Sequence, residues 1–353
     1  MQGIAIVAAA SMLVAGPSGA NEATCPTVIG AWRPAAGAPP VEAVDVTTAG
    51  DLVVVADAAY GSSRLRVLRT PRSGNPVELG RVDLPGNATA VDVAPGLAAV
   101  SHATVDWDIC VDGGLTLVDL GVPSRPQVLS TLPLAGCVEG VVVHQGVAYV
   151  VNDGELVVVD ISRPSAPVEV VRYRPELIHA FAAEVSGDVL FVADLYGKVC
   201  AADVAEATAP QHLGCTRITD HALLALDVHG DLLAAVARPD PPLPHELVLV
   251  DVRWPSQPWR LSVTATAGRT DAVAVAGRLA AVSLGADGGV QLFDVSNPLR
   301  PAAVGIDGPK AVPSHHLAIS GNRLWAANDV DGVGVYRIDL CHRPRSGPRR
   351  TPD

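Results

Sequence analysis

Lysine is almost missing from this chain: Lys198 and Lys310 are the two it has in 353 residues. Arginine is common and alanine abundant, which reads as the codon bias of a GC-rich genome rather than a mark of mechanism. Charged residues make up 18% of the chain and the formal net charge is −12. That balance excludes a general nucleic-acid binder, which needs a basic face to displace counterions. Long apolar runs are scarce as well. Beyond the N-terminus nothing approaches the roughly 18 uninterrupted apolar residues of a membrane span, so no span is expected in the mature protein. There is no C-x-x-C pair, which argues against a cysteine metal site, and no G-x-S-x-G nucleophile elbow. "GADGG" at 285–289 has no Walker lysine or helix after it. "DVDGVG" from Asp329 resembles the start of a calcium loop, but Val333 and Leu340 stand where its later carboxylates belong, so a turn is expected.

What is present is apolar and punctuated. Hydrophobic residues reach 49%, with 33 Gly and 29 Pro, a composition that supplies a large core and many turns and excludes global disorder. "MQGIAIVAAASMLVAGPSGANEATC" has an apolar stretch from Ile4 to Gly16 followed by small residues. Residues 1–20 therefore read as a secretory signal, and the protein is expected to be exported, periplasmic or extracellular. The end, 342–353, reads as a basic disordered tail.

One sentence is repeated along the chain. "LTLVDLGVPSRPQVLS" from Leu115, "LVVVDISRPSAPVEVV" from Leu156, "VCAADVAEATAPQHLG" from Val199, "LVLVDVRWPSQPWRLS" from Leu247 and "VQLFDVSNPLRPAAVG" from Val290 align on their aspartate. Two further copies place Arg69 and Arg337 there. Intervals between Arg69, Asp119, Asp160, Asp203, Asp251, Asp294 and Arg337 are 50, 41, 43, 48, 43 and 43 residues, the period of a four-stranded propeller blade. Between copies lie two more valine-rich runs joined at a glycine, as in "AAEVSGDVLFVAD". Each unit thus offers strands a, b, c and d, the repeated motif supplying c, a proline bend and d. The seventh copy has no d strand after it, while "CPTVIGAW" at 25–32 is similar to the d strand "RPAAVGID". The expected fold is all-β: a seven-bladed propeller over 25–341 with four-stranded antiparallel blades, the last completed by the N-terminal strand. Closing the ring that way leaves no edge unpaired between first and last blades.

The segments "LVVVDISRPSAP" and "VQLFDVSNPLRP" resemble the LVIVD repeat, found in a family of bacterial, often exported β-propellers whose biochemical role is mostly unassigned. The resemblance covers nearly all of the mature chain, with departures at Arg69, Ala207 and Arg337. It implies the fold and carries no catalytic residues to transfer.

Six cysteines in an exported chain allow 15 complete pairings. The propeller register selects Cys25 with Cys341 across the closure, Cys200 with Cys215 on neighbouring strands c and d, and Cys110 with Cys137 on one face. The motif aspartate is expected to accept backbone N–H groups in an Asx-type turn, and the prolines to fix φ where no ladder continues. An aspartate recurring in five blades is scaffold.

Function is expected on the opposite face, where the b to c connections vary in length, with long loops at 102–114 and 237–246. Candidate binding residues there are His102, Asp106, Trp107, Asp108, Asp194, His221, Arg238, His245, His316 and Asp329. A metal reading would place His315 or His316 beside His221 or His179. Adjacent residues of a strand point to opposite faces, so His315 and His316 are not expected in one site without a bulge. The expectation is a monomeric, non-catalytic binding scaffold with no cofactor, its partner a protein, glycan or cell-surface component. The alternative is a metal-dependent or polar-site hydrolase or lyase at the channel mouth.

Overall fold

The computed structural model describes residues 25–34, 42–59, 62–71, 75–106, 109–174, 176, 179–285, 288–308 and 314–338. It is all-β. Chain order is β1 (Thr27–Trp32), then a first blade of β2 (Glu42–Ala49), β3 (Leu52–Ala59), β4 (Ser62–Arg69) and β5 (Val77–Leu84). Five further four-stranded blades follow over 87–134, 138–173, 180–217, 222–265 and 273–307, each paired in sequence order from inside to outside. The seventh sheet holds the three strands of 316–337, with β1 outermost and antiparallel to Val333–Arg337.

Burial explains the lettering of each blade. In blade three the second and third strands, Val147–Asn152 and Glu155–Asp160, are buried except at the half-buried Asp160, as expected of strands covered on both faces by neighbouring sheets. The outer strand Val168–Tyr173 is exposed along almost its whole length and interrupts its valines with Glu169 and Arg172, charges that blunt an open edge. The core is accordingly divided into seven apolar wedges, one at each junction between blades. Trp32 of β1 packs in the wedge between the last and first blades with Val46, Val55, Leu68 and Trp325. Its ring also lies 4.9 Å from the Arg66 guanidinium carbon. Arg66 is buried in β4, pairs with Asp57 and lies 3.0 Å from Glu78.

The bends do the same work in every repeated copy. Asp119, Asp160, Asp203, Asp251 and Asp294 each accept the backbone N–H of the residue two places on, at 2.8–3.0 Å. A backbone bond three residues long closes each bend, such as Ala166 N–H to Arg163 O at 2.8 Å. The next blade's bend packs onto the outer strand at a column of small residues. A Cβ on Gly214 would lie 2.2 Å from the Ser256 carbonyl oxygen, and Ser130 and Ser262 instead donate hydroxyls to Pro164 and Pro298 carbonyls at 2.6 Å. Ala207, where the proline is missing, accepts the hydroxyl of the fully buried Tyr149 at 2.6 Å.

Two of the cysteine pairs are present, Cys110–Cys137 and Cys200–Cys215. Cys341 lies outside the described residues. The expected long loop at 102–114 is corrected: Leu97–Asp106 and Ile109–Asp119 continue as a paired hairpin, with Asp106 opposite Ile109. The alternation of apolar and polar residues carries the ladder past the usual blade end.

Candidate functional site

Every blade contributes to a central chamber of about 640 Å³, from its innermost strand or, in blade six, from Asp271 just ahead of it, a volume within the range of small-molecule sites. Each inner strand enters from the face of the variable connections and leaves by a two-residue hairpin on the other. In blades one to five the pairing register slips near its start, so Val44, Thr89, Glu139, Phe181 and Leu224 each stand unpaired as a bulge. A β-bulge re-aims a side chain. Here all five line the chamber, and so do Asp271 and His315, which hold the equivalent place just ahead of the inner strands of blades six and seven.

One residue deeper, the ring is mostly small. Ala90, Gly140, Ala182 and Ala225 leave the space that is the chamber, and Asp45 and His316, from adjoining blades, fill its polar corner. His316 Nδ1 lies 2.6 Å from Asp45 Oδ1, and 47% of the histidine side chain stays open to the chamber. Burial alone would lower the His316 pKa, but the charge and hydrogen bond of Asp45 prevail and raise it to about 9.

Two residues deeper again stand Asp92, Glu184 and Asp227. The aspartates of this inner wall share one bonding pattern: each accepts the N–H of the next residue and that of a valine in the following blade. Asp45 thus takes Val91 N–H at 2.6 Å, Asp92 takes Val143 at 2.7 Å and Asp227 takes Val275 at 2.6 Å. Inner edge strands expose unpaired N–H groups to the channel, and these carboxylates satisfy them while tying blade to blade. Burial pushes the Asp92 carboxyl up to about 6 against its bonds to Val143 and Val93. Glu184 rises well above the carboxylate range through burial and the nearby charges of Asp227 and Asp92, and Asp227 rises chiefly through burial. The chamber therefore joins an apolar wall at Phe181 and Leu224 to an acidic floor whose carboxyls are pushed above their ordinary range.

Residues 135–174, spanning blade three, match the LVIVD repeat. The protein is a seven-bladed β-propeller that carries an LVIVD repeat. No curated relative matches the chain by sequence. Among solved structures, this propeller is similar to hydrazine synthase of Kuenenia stuttgartiensis, at 16% identity over 88% of this chain and 99% of that one, with a TM-score of 0.68. Periplasmic gluconolactonase of Pseudomonas aeruginosa matches at 14% identity over 76% and 86%, TM-score 0.65. The Cps50 (Swd1) β-propeller domain of Myceliophteria thermophila matches at 14% over 84% and 96%, TM-score 0.63. At such identities the likeness is one of fold.

The residues singled out in the sequence of the propeller do not form one cluster. His316 and Arg238 reach the chamber. His102 is buried beside Gly114, where an added Cβ would meet its ring, and burial lowers its pKa. His245 is buried at Thr270, whose N–H lies 3.0 Å from its Nδ1. Asp194 is wholly buried and accepts the N–H groups of Tyr196 and Lys198 at 2.9 and 2.8 Å in its own turn. Asp329 shapes a turn with φ of 46°, its carbonyl accepting Ala43 N–H at 3.0 Å. His221 precedes the inner strand of blade five and its N–H meets Thr219 Oγ1 at 3.3 Å. Trp107, Asp108 and the side chain of Asp106 lie outside the described residues.

The two adjacent histidines meet the exception that the expectation allowed, a bulge-like start to their strand. Both line the chamber, because alternation begins only at His316, the first residue of its strand, and His315 occupies the place bulged in other blades. His316 engages Asp45, and His179 lies 3.7 Å from Glu139, rather than either approaching a shared metal position. Among the described residues one trio has metal-ligand spacing, Glu176, His212 and Cys215, but Cys215 is committed to its disulfide. The sequence did hold a signal for the acidic inner wall: Asp45, Asp92, Glu184 and Asp227 each precede a valine shortly before the inner hairpin glycine.

Among the described residues no helix is long and apolar enough to cross a membrane.

Proposed function

We propose that the protein is a non-catalytic, extracytoplasmic binding propeller that takes a small amphipathic molecule into its central chamber from the face of the variable connections. The observation that carries this reading is the bulged column. At one equivalent position, seven blades present seven different residue types, Val44, Thr89, Glu139, Phe181, Leu224, Asp271 and His315, all against one cavity. A scaffold position repeats its chemistry, as the bend aspartates do, whereas a recognition surface differs around its ligand. Export is supported by the N-terminal signal pattern and by two disulfides, which persist in oxidising compartments. Residues 1–20 as signal and 342–353 as tail complete this reading.

A second reading rests on Glu184. A carboxyl held protonated inside a cavity, next to other carboxylates, is the arrangement used by general acids, and a periplasmic gluconolactonase is among the proteins with this fold. In that reading Glu184 protonates the leaving-group oxygen while Asp227 or Asp92 takes a different proton, from the attacking water in a hydrolase or from a substrate C–H in a lyase.

A thermal-shift screen of small amines, carboxylic acids and lactones separates the two. Compounds that raise the midpoint of the wild type are expected to lose their effect in Ala182→Phe, which fills the chamber, and in the milder Ala225→Leu. Equal stabilisation of the wild type and both folded variants would overturn the chamber reading. Turnover of a lactone that disappears in Glu184→Gln while binding survives would replace the binding reading with the enzymatic one.

A further inference from the structure

The bend of blade five departs from its siblings in a way the scaffold does not require. Three residues after the motif aspartate the blades carry Val122, Arg163, Glu206, Trp254 and Asn297. Eight residues after it they carry Gln127, Val168, Gln211, Trp259 and Ala302. The backbone bond that closes the bend is 2.8–2.9 Å in all five, so the indoles do not shape the turn. Nor do they build the core, since Trp254 is 77% and Trp259 72% exposed. Aromatic residues are only 4% of the chain, which makes two exposed tryptophans on one bend a costly feature without a partner.

Trp259 walls an open groove of about 340 Å³ between the outer strands of blades four and five. Beside it are Arg260 and Pro258 from its own strand and bend, and Thr216, Arg217 and Asp220 from blade four. Both guanidiniums are held in place by backbone carbonyls: Arg260 donates to Ile218 at 2.9 Å and Arg217 donates to Tyr196. Each bond uses one N–H and leaves the rest of the planar fork for a ligand. The groove thus carries two cations against one anion in a chain of net charge −12.

We propose that this groove binds an acidic polysaccharide, with a uronic-acid unit seated against Trp259. An indole face packs on the C–H face of a pyranose ring. The forks of Arg217 and Arg260 match a carboxylate, and Thr216 and Asp220 offer hydroxyl-bonding atoms. An acidic peptide shares the charge but lacks the flat saturated ring that an open indole wall suits. The site is separate from the chamber and does not depend on it.

The test is calorimetric titration of the full chain with oligogalacturonate, with a neutral maltooligosaccharide and with polyglutamate. Trp259→Val is a safe variant, because blade three carries Val168 at that position. Oligogalacturonate is expected to bind the wild type, to weaken at least tenfold in Trp259→Val and in Arg260→Gln, and to weaken as salt rises, while Ala182→Phe leaves it unchanged. Neutral sugar binding equally well, polyglutamate binding equally well, unaltered binding by Trp259→Val, or no binding of oligogalacturonate would each overturn the proposal.

Discussion

Asp160 and Asp92 carry the same carboxylate in the same ring and are driven in opposite directions. Asp160 sits at a bend, bonds the hydroxyl and the N–H of Ser162, and has its pKa lowered by those bonds. Asp92 sits on the inner wall, also accepts two N–H groups, and is nevertheless pushed up to about 6, because burial outweighs those bonds. Hydrogen bonding is alike in the two places and solvent is not. At the rim a carboxylate only has to shape a turn, so the same solution is copied in five blades. Around the chamber each charge is felt by the others, and the inner strands differ from blade to blade.

The sharpest way to break this contrast is Asp45→Ala. It leaves the His316 cation without its partner and the N–H groups of Val46 and Val91 unsatisfied. His316 is half open, so the cost falls mainly on the two stranded N–H groups; leaving a buried donor unsatisfied costs about 1–3 kcal/mol, and urea unfolding is expected to show a loss of about 2 kcal/mol. A loss near zero would mean that the inner carboxylates do not tie the blades.

The pH dependence sharpens it next. Asp92 holds its proton to about 6 when folded and to 3.8 ordinarily, so its contribution to stability is complete below 3.8 and is lost as pH rises through about 6. His316, raised from 6.5 to about 9, contributes fully below 6.5 and loses that contribution as pH rises through about 9. Asp160 and Asp251, both lowered from 3.8, act in the opposite sense, their contribution being present above that value and lost as pH falls below it. Asp92→Asn is therefore expected to flatten the fall in unfolding free energy between pH 4 and 6 relative to the wild type, a window set by the Asp92 values. An unchanged slope would remove Asp92 from the account.

Asp160→Ala should have the smallest effect. It deletes the bonds to the Ser162 N–H and hydroxyl at an open bend, together worth about 1 kcal/mol, and the same change at Asp294, three blades away, should add to it, because distant bends share no partner. Strong non-additivity would show that the bends communicate, contrary to a purely local role.

The ring was legible in the sequence because turn chemistry is local. Asp160, Pro164 and Pro167 specify a bend wherever they occur at that spacing, and counting bends counts blades. Strand pairing is not local, and there the reading failed. The segment 102–114 reads as a loop by its length between motifs, yet its residues alternate well enough to extend a hairpin. The chamber was hidden for a related reason: whether Glu139 or Phe181 points inward depends on a slip in register against the next strand, which periodicity along one strand does not record. His102, His245 and Asp194 are polar residues near strand ends, and such residues are as useful for closing buried turns as for meeting a ligand.

We assign recognition to the unlike residues of the inner column and not to the repeated motif. Soaking crystals of the wild-type protein with a library of small amphipathic fragments tests it directly. The predicted result is fragment density in the chamber, in contact with Phe181, Leu224 or Glu139. Fragments that gather on the proline bends or elsewhere and leave the chamber empty would contradict it.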